Sequence, residues 1–211
     1  MKGKAIDISK LQERLSSYLP GWDAQKKMAP VGRRHIPPAD AIPIESAVLV
    51  LLVEDSDDYA VVFIHRSEDG GPHSGQISFP GGRREPQDKT LMDTALREAA
   101  EEIALNCNHV NILGQLTPLY LPLSNFMIYP FVALADGCDD FYPQPEEVQK
   151  VIKIRLSCLM NDNYKHFEVF QASNKAPIEA PAFCVGETKI WGATAMILSE
   201  LCEMLSSMND E

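Results

Sequence analysis

A chain of 211 residues is long enough to bury a core of its own, and 45% apolar with 23% charged content is ordinary for a soluble globular protein. A net charge of -11 argues against non-specific binding to nucleic acid or to an anionic membrane, because both are polyanions. The five cysteines (Cys107, Cys138, Cys158, Cys184 and Cys202) include no Cys-x-x-Cys pair, so zinc-ribbon and dithiol redox motifs are absent and reduced thiols in the cytoplasm are expected. No apolar run reaches the length of a membrane span, and the N-terminus MKGKAIDISKLQERL is amphipathic rather than signal-like.

In chain order, residues 9 to 19 predict a short helix, with Ser9 as N-cap and Leu11, Leu15 and Leu19 on one stripe, ended by Pro20-Gly21. From Lys26 to His35 the chain carries Lys26, Lys27, Arg33 and Arg34 with no acidic residue. This segment reads either as a solvated loop or as an arm that attracts phosphate, for which arginine offers a planar bidentate fork. Residues 1–40 are therefore expected to be a helix and a basic irregular arm, ahead of a single domain at 41–211.

The run SAVLVLLV at 46 to 53 has the pattern of a strand buried on both faces. An acidic turn leads to the returning strand YAVVFIH at 59 to 65. Further strands are expected at 77–79, 110–117, 126–135, 148–154, 165–171 and 182–186. A closing helix is expected over 192–207, with Ala195, Leu198, Leu201, Cys202 and Leu205 as a core stripe and Trp191 and Thr194 packing and capping it. Strands interspersed with only two long helices predict an α+β fold, a mixed sheet packed between helices, rather than a doubly wound parallel sheet.

The residues that carry chemistry lie between His73 and Leu105, where the loop Pro80-Gly81-Gly82 leads to a helix starting near Thr90. Leu91, Ala95, Ala99 and Ile103 form its inward stripe, with Asp88 or Thr90 as its cap. Glu98, Glu101 and Glu102, three and four positions apart, share one face and concentrate negative charge on the surface of the helix. By itself such a run is also what a solvated acidic face looks like. With glycines ahead of it that allow close backbone approach, it suits hard divalent cations such as Mg²⁺. Arg97, one position from Glu98, points elsewhere on the helix and reads as a structural salt bridge.

This stretch resembles the box of the Nudix hydrolase family. Its counterparts are Gly82, Asp88, Arg97, Glu98, Ala99, Glu101, Glu102, Ala104 and Leu105. Asp88 replaces a Glu, eight residues rather than seven separate it from Arg97, and Ala104 replaces a Gly. The resemblance implies an α/β/α sandwich with a mixed sheet, Mg²⁺ or Mn²⁺ held by Glu98, Glu101, Glu102 and the Gly82 carbonyl, and an Asp88–Arg97 pair. It also implies hydrolysis of a nucleoside diphosphate linked to a second moiety. The general base comes from the box or from a later loop, where Glu146 and Glu147 stand and Glu147 is preferred.

A second layer is similar to the coenzyme A pyrophosphatase branch: Arg66-Ser67, His73-Ser74-Gly75-Gln76 before the glycines, TALREAAEEIAL, SNFMIYPFVA and Ile190-Trp191-Gly192-Ala193-Thr194-Ala195. That branch cleaves coenzyme A to 3′,5′-ADP and 4′-phosphopantetheine. Its usual apolar residue and Arg before the His are Gly70 and Gly71 here, so Arg33, Arg34 or Arg66 are the candidates to contact phosphate. His73, Gln76 and Gly81 complete the expected substrate site. ADP-ribose, dinucleotides or another nucleotide derivative form the alternative, and a non-catalytic scaffold is a third reading, disfavoured by the retained glutamates. A small nucleotide is the expected partner, with neither nucleic acid nor membrane, and the resemblance extends to a homodimer.

Overall fold

The computed structural model describes residues 6–67, 74–137, 140–171 and 177–209. Cys138, His73, Gly70 and Gly71 lie outside the described residues. Among the described residues, no helix is long and apolar enough to cross a membrane.

The main sheet holds β1 (Ile44–Asp55), β2 (Asp58–Arg66), β3 (Ile77–Ser78), β4 (Gly81–Arg83), β5 (Val110–Gln115), β6 (Leu119–Leu121), β7 (Phe126–Ala135) and β8 (Val148–Arg155). Strand β1 is its centre because both of its faces are apolar and both are covered. Ala47, Leu49, Leu51 and Val53 point into one core layer, Val50 and Leu52 into the other. Against β1, β7 runs parallel and β2 antiparallel; β8 and β5 extend the sheet antiparallel on either side.

Helix α3 (Leu91–Ile103) covers the layer below the Leu49 face, with Ala95, Ala99 and Ile103 buried. Its two alanines have little bulk, so the helix axis lies close to the sheet. The opposite layer is closed by α1 (Ile8–Ser17), the short α4 (Leu156–Leu159) and α5 (Gly192–Asn209), whose Leu11, Leu15, Leu156, Leu159, Leu198, Leu201 and Leu205 share one core with Val50, Leu52 and Phe63. The result is the α/β/α sandwich with a mixed sheet that the sequence predicts.

Four details differ from expectation. Residues 165–171 and 182–186 do not join the main sheet. They belong to a separate antiparallel sheet of β9 (Lys165–Gln171), β10 (Pro177–Val185) and β11 (Thr188–Trp191). Its outer strand leaves Phe167 and Val169 exposed and so needs cover on one side only. The N-cap of α1 is Asp7, not Ser9: its carboxylate accepts the N–H groups of Ser9 and Lys10 at 3.0 and 3.2 Å, which starts the helix earlier. Thr194 does not cap its own helix but donates to the Ile77 carbonyl, 3.1 Å, tying α5 to β3. Trp191 is half-buried and stacks on Phe170 with ring centroids 4.4 Å apart, instead of anchoring the core.

A buried carboxylate that periodicity does not flag joins the N-terminal segment to the rest. Glu200, fully buried in α5, accepts from Gly21 N–H (3.1 Å), Gln25 Nε2 (2.9 Å), Thr117 N–H (3.3 Å) and Thr117 Oγ1 (2.6 Å). It thereby binds the start of α2 (Trp22–Gln25) and the β5–β6 connection to one helix. Buried donors left without acceptors each cost about 1–3 kcal/mol. Glu200→Ala is therefore expected to lower the unfolding free energy in urea by roughly 3 kcal/mol or more, and Glu200→Gln by less, because its amide oxygen still accepts.

Candidate active site

Strands β1 and β2 pair only near their turn, from Leu52↔Val61 to Asp55↔Asp58, and then diverge. Residues 76–84 fill the opening. Arg66 N–H donates to the Gln76 carbonyl, Leu49 N–H to Pro80 and Arg84 N–H to Glu45, while β3 pairs with β2 and β4 with β1. Phe79 anchors this wedge by burying its ring against Phe63, centroids 5.1 Å apart.

The wedge requires both glycines. Gly81 has φ +150°, and a Cβ there would collide with the β1 backbone, coming within 2.6 Å of Val48 Cα. At Gly82 a Cβ would sit 2.5 Å from the Glu98 carboxylate. The glycine surface and the acidic face of α3 therefore meet directly.

Helix α3 begins with a reciprocal capping box between Thr90 and Asp93. Ahead of it Asp88 is buried and grips Arg97 by two bonds, Nε to Oδ1 and Nη2 to Oδ2, each 3.0 Å. Asp88 Oδ2 also accepts from Glu85 N–H at 2.9 Å and from the buried Thr94 hydroxyl at 3.0 Å. The Arg97 hydrogen bonds hold the Asp88 carboxyl down to about 2 against the opposing effect of burial. Arg97 is less remote from the acidic cluster than its spacing implies. Its long side chain folds back so that Nη2 lies 3.0 Å from Glu98 Oε1 and Nη1 3.0 Å from Glu101 Oε2.

The three glutamates are not equivalent. The Glu101 side chain is 60% exposed, that of Glu98 15% and that of Glu102 only 2%. Glu102 is thus no surface position: the helix turns it under the wedge, where Oε2 accepts the Gly81 N–H at 2.8 Å and Oε1 lies 3.4 Å from Arg66 Nη1. Burial pushes its carboxyl up to about 7, opposed by the Gly81 N–H and Arg66 and aided by the charges of Glu98 and Glu147. Burial likewise raises Glu98, with Arg97 opposing and Glu101 and Glu147 adding to the rise.

Glu147 arrives on the loop before β8. Gln144 N–H donates to the Glu102 carbonyl (2.9 Å) and Tyr142 N–H to that of Ile103 (3.1 Å), so this loop caps the C-terminal end of α3. The charge of Glu147 is felt at both Glu98 and Glu102.

Glu98, Glu101, Glu102, Glu147, Gly81, Gly82, Arg66, Asp88 and Arg97 are therefore gathered in one place, and Gln76 stands at the wedge entrance. Arg33 and Arg34 sit in the segment ahead of β1 and pair with none of these carboxylates among the described residues. Thr94 and the close contact of Arg66 with Glu102 were not legible in spacing. A threonine four positions after an N-cap was the only available signal for the former.

Among the described residues no three carboxylate, imidazole or thiol groups already form a coordination sphere. Arg97, Gly81 N–H and Arg66 hold the glutamate oxygens instead. The donor set nonetheless fits a divalent cation: carboxylates confined by burial and mutual repulsion, above a glycine that a Cβ would fill.

A carboxyl held below its unfolded value adds stability above that value and loses it as pH falls through the folded one. Asp88 should contribute roughly 2 kcal/mol at neutral pH. In urea unfolding, the gap between the native chain and Asp88→Asn is expected to be of that size at pH 6 and to close between about pH 4 and pH 2.

Comparison with known proteins agrees with this geometry. The family model of the NUDIX domain matches residues 43–163. A Yersinia enterocolitica protein described as the uncharacterized Nudix hydrolase NudL is 33% identical over 163 residues, covering 76% of this chain and 81% of that protein. The NudL of Photorhabdus laumondii is 33% identical over 134 residues, 63% of this chain and 70% of that protein. Among solved structures, the Nudix hydrolase RenU of M. smegmatis has a TM-score of 0.54 at 13% identity, covering 86% of this chain and 94% of that one. The MutT protein of Methanosarcina mazei Go1 has a TM-score of 0.52 at 16% identity, covering 82% and 100%. At those identities the structural likeness is one of fold. Nudix hydrolases generally use divalent metal ions. The chain belongs to the Nudix family and is a pyrophosphohydrolase of it.

Proposed function

We propose that this enzyme hydrolyses the diphosphate of coenzyme A or its derivatives to 3′,5′-ADP and 4′-phosphopantetheine, in the cytoplasm and with Mg²⁺ or Mn²⁺. The observation that carries the hydrolytic part is the burial of Glu98 and Glu102 directly against Gly81-Gly82. The choice of coenzyme A is supported by the segments around Ser74-Gly75-Gln76 and Ile190-Trp191-Gly192 and by Arg66 at the acidic face.

Glu98, Glu101 and Glu102, with the Gly82 carbonyl, would hold the cation. When bound, a divalent cation brings positive charge to the diphosphate oxygens and makes water a better nucleophile near neutral pH. Arg97 holds Glu98 Oε1 and Glu101 Oε2 and so orients both carboxylates. Arg66 is placed to pair with a phosphate oxygen, with Arg33 and Arg34 as further candidates and His73, Gln76 and Gly81 to position the ligand. Glu147 accepts the proton of the attacking water as its oxygen bonds to phosphorus and the bridging oxygen leaves. A second reading, ADP-ribose or a dinucleotide as substrate, is favoured by one observation: Gly70 and Gly71 stand where the coenzyme A branch carries an apolar residue and an arginine.

Turnover of coenzyme A, an acyl derivative, ADP-ribose and diadenosine polyphosphates should be measured side by side with Mg²⁺ and Mn²⁺. Cleavage of coenzyme A is expected, abolished by EDTA. Silence on coenzyme A beside a live ADP-ribose reaction promotes the second reading. Glu98→Gln should lower kcat by at least about 100-fold while leaving the unfolding transition intact. Near-native activity in that variant sinks the metal assignment.

A further inference from the structure

Strand β8 follows β2 in regular antiparallel register from Ala60↔Arg155 to His65↔Lys150, and then the register jumps so that Arg66 pairs with Val148. Gln149 is the extra residue of a β-bulge. Bulges at the rim of a sheet bend the strand and re-aim the side chains beyond them. We propose that the bulge at Gln149, locked by Ser67, is the device that aims Glu147 at helix α3, with Ser67 a positioning residue for the reaction.

Regular pairing would set Arg66 opposite Gln149 and Ser67 opposite Val148. Glu147 would then lie one residue, about 3.3 Å, farther along, with its side chain on the opposite face of the sheet. With the bulge, Ser67 N–H donates to the Glu147 carbonyl at 2.9 Å and Ser67 Oγ to the Pro145 carbonyl at 3.3 Å. The Ser67 carbonyl in turn accepts from Ser74 Oγ at 3.4 Å, which joins the loop ahead of the glycines to the same node.

On its other side the loop is held by the Glu102 and Ile103 carbonyls of α3. Glu147 is thus fixed between the end of β2 and the helix that bears Glu98 and Glu102, and its charge reaches both of them. At the same step of the ladder, Arg66 extends its guanidinium to Glu102. One inserted residue therefore sets the acidic and the basic group on the two sides of the same site.

This inference rests on the reading of Glu147 as the general base, and the test separates the two. Insertion of one alanine between Gln149 and Lys150, Ser67→Ala, Ser67→Thr and Glu147→Gln are compared in two assays: calorimetric titration of the protein with Mn²⁺, and steady-state kinetics with Mg²⁺ on the diphosphate that turns over best. Glu147→Gln should lower kcat roughly 100-fold, the size of a lost general base. The insertion, which moves Glu147 one residue farther along β2 and turns it to the opposite face, should match it with KM changed by less than about twofold, and the two changes combined should be no worse than either, because they remove one function.

Both should also weaken Mn²⁺ binding by the same factor, since each takes one negative charge away from the glutamates. Ser67→Ala should lower kcat about fivefold, one hydrogen bond's worth, and Ser67→Thr should restore it. If Glu147→Gln is impaired while the insertion works normally, or if the two losses add, the inference falls and the base reading stands. If Glu147→Gln keeps full kcat and Mn²⁺ affinity, the base reading falls. Should the insertion fail to fold, the serine pair decides: a fully active Ser67→Ala overturns the proposal.

Discussion

Helix α3 can bring its carboxylates to the backbone of the wedge only because residue 82 has no side chain. A Cβ there would occupy the space of the Glu98 carboxylate. The two glycines act in different directions. Gly81 admits the wedge to β1, where its φ of +150° suits no residue with a Cβ, and Gly82 admits the helix. Ala95 and Ala99 complete the approach from the helix side by keeping it low on the sheet. Core packing and site geometry are one constraint here, since a bulkier residue at any of these four positions would lift α3 and move Glu98 and Glu102 with it.

That close approach concentrates charge. Asp88, Glu98, Glu101, Glu102 and Glu147 supply five carboxylates, and Arg66 and Arg97 two guanidinium groups, leaving a formal excess of three negative charges when all are ionised. Arg97 is spent on three of the carboxylates and has no further charge to offer. Arg66 lies 3.4 Å from a glutamate with essentially no exposure, a long contact for a charge-assisted bond. A dication is the simplest way to relieve such an excess, and it also accounts for how a chain with a net charge of -11 can accept an anionic substrate.

Much of this was legible in the sequence. The run at 46 to 53 announced a strand covered on both faces, and the spacing of Leu91, Ala95, Ala99 and Ile103 placed the three glutamates together. Periodicity assigns a face to a residue but does not say what packs on that face. Glu102 looked like a surface residue for that reason, although the wedge covers it. Glu200 was invisible for the same reason: its acceptors are used by donors 83 and more positions away. The bulge at Gln149 had no signal either, because an extra residue shows only against a partner strand, and pairing is a long-range property.

The departures from the family box find their physical compensation at the two ends of α3. At the start, Asp is one methylene shorter than Glu, yet the additional residue before Arg97 brings the loop in and the Thr94 hydroxyl fills the vacant acceptor site, so the grip on Arg97 stays bidentate. At the end, where the family box has a glycine, Ala104 takes a left-handed conformation, φ 55° and ψ 37°, which a glycine would adopt at no steric cost. An alanine there costs about 1 kcal/mol. The conformation persists because neighbours over-determine it: Ala104 N–H closes on the Ala99 carbonyl, and the Glu102 and Ile103 carbonyls are taken by the loop that carries Glu147. The backbone bonds that absorb the strain of Ala104 are thus the ones that fix Glu147 relative to Glu98 and Glu102, so this substitution can be tolerated at the helix end without loosening the site.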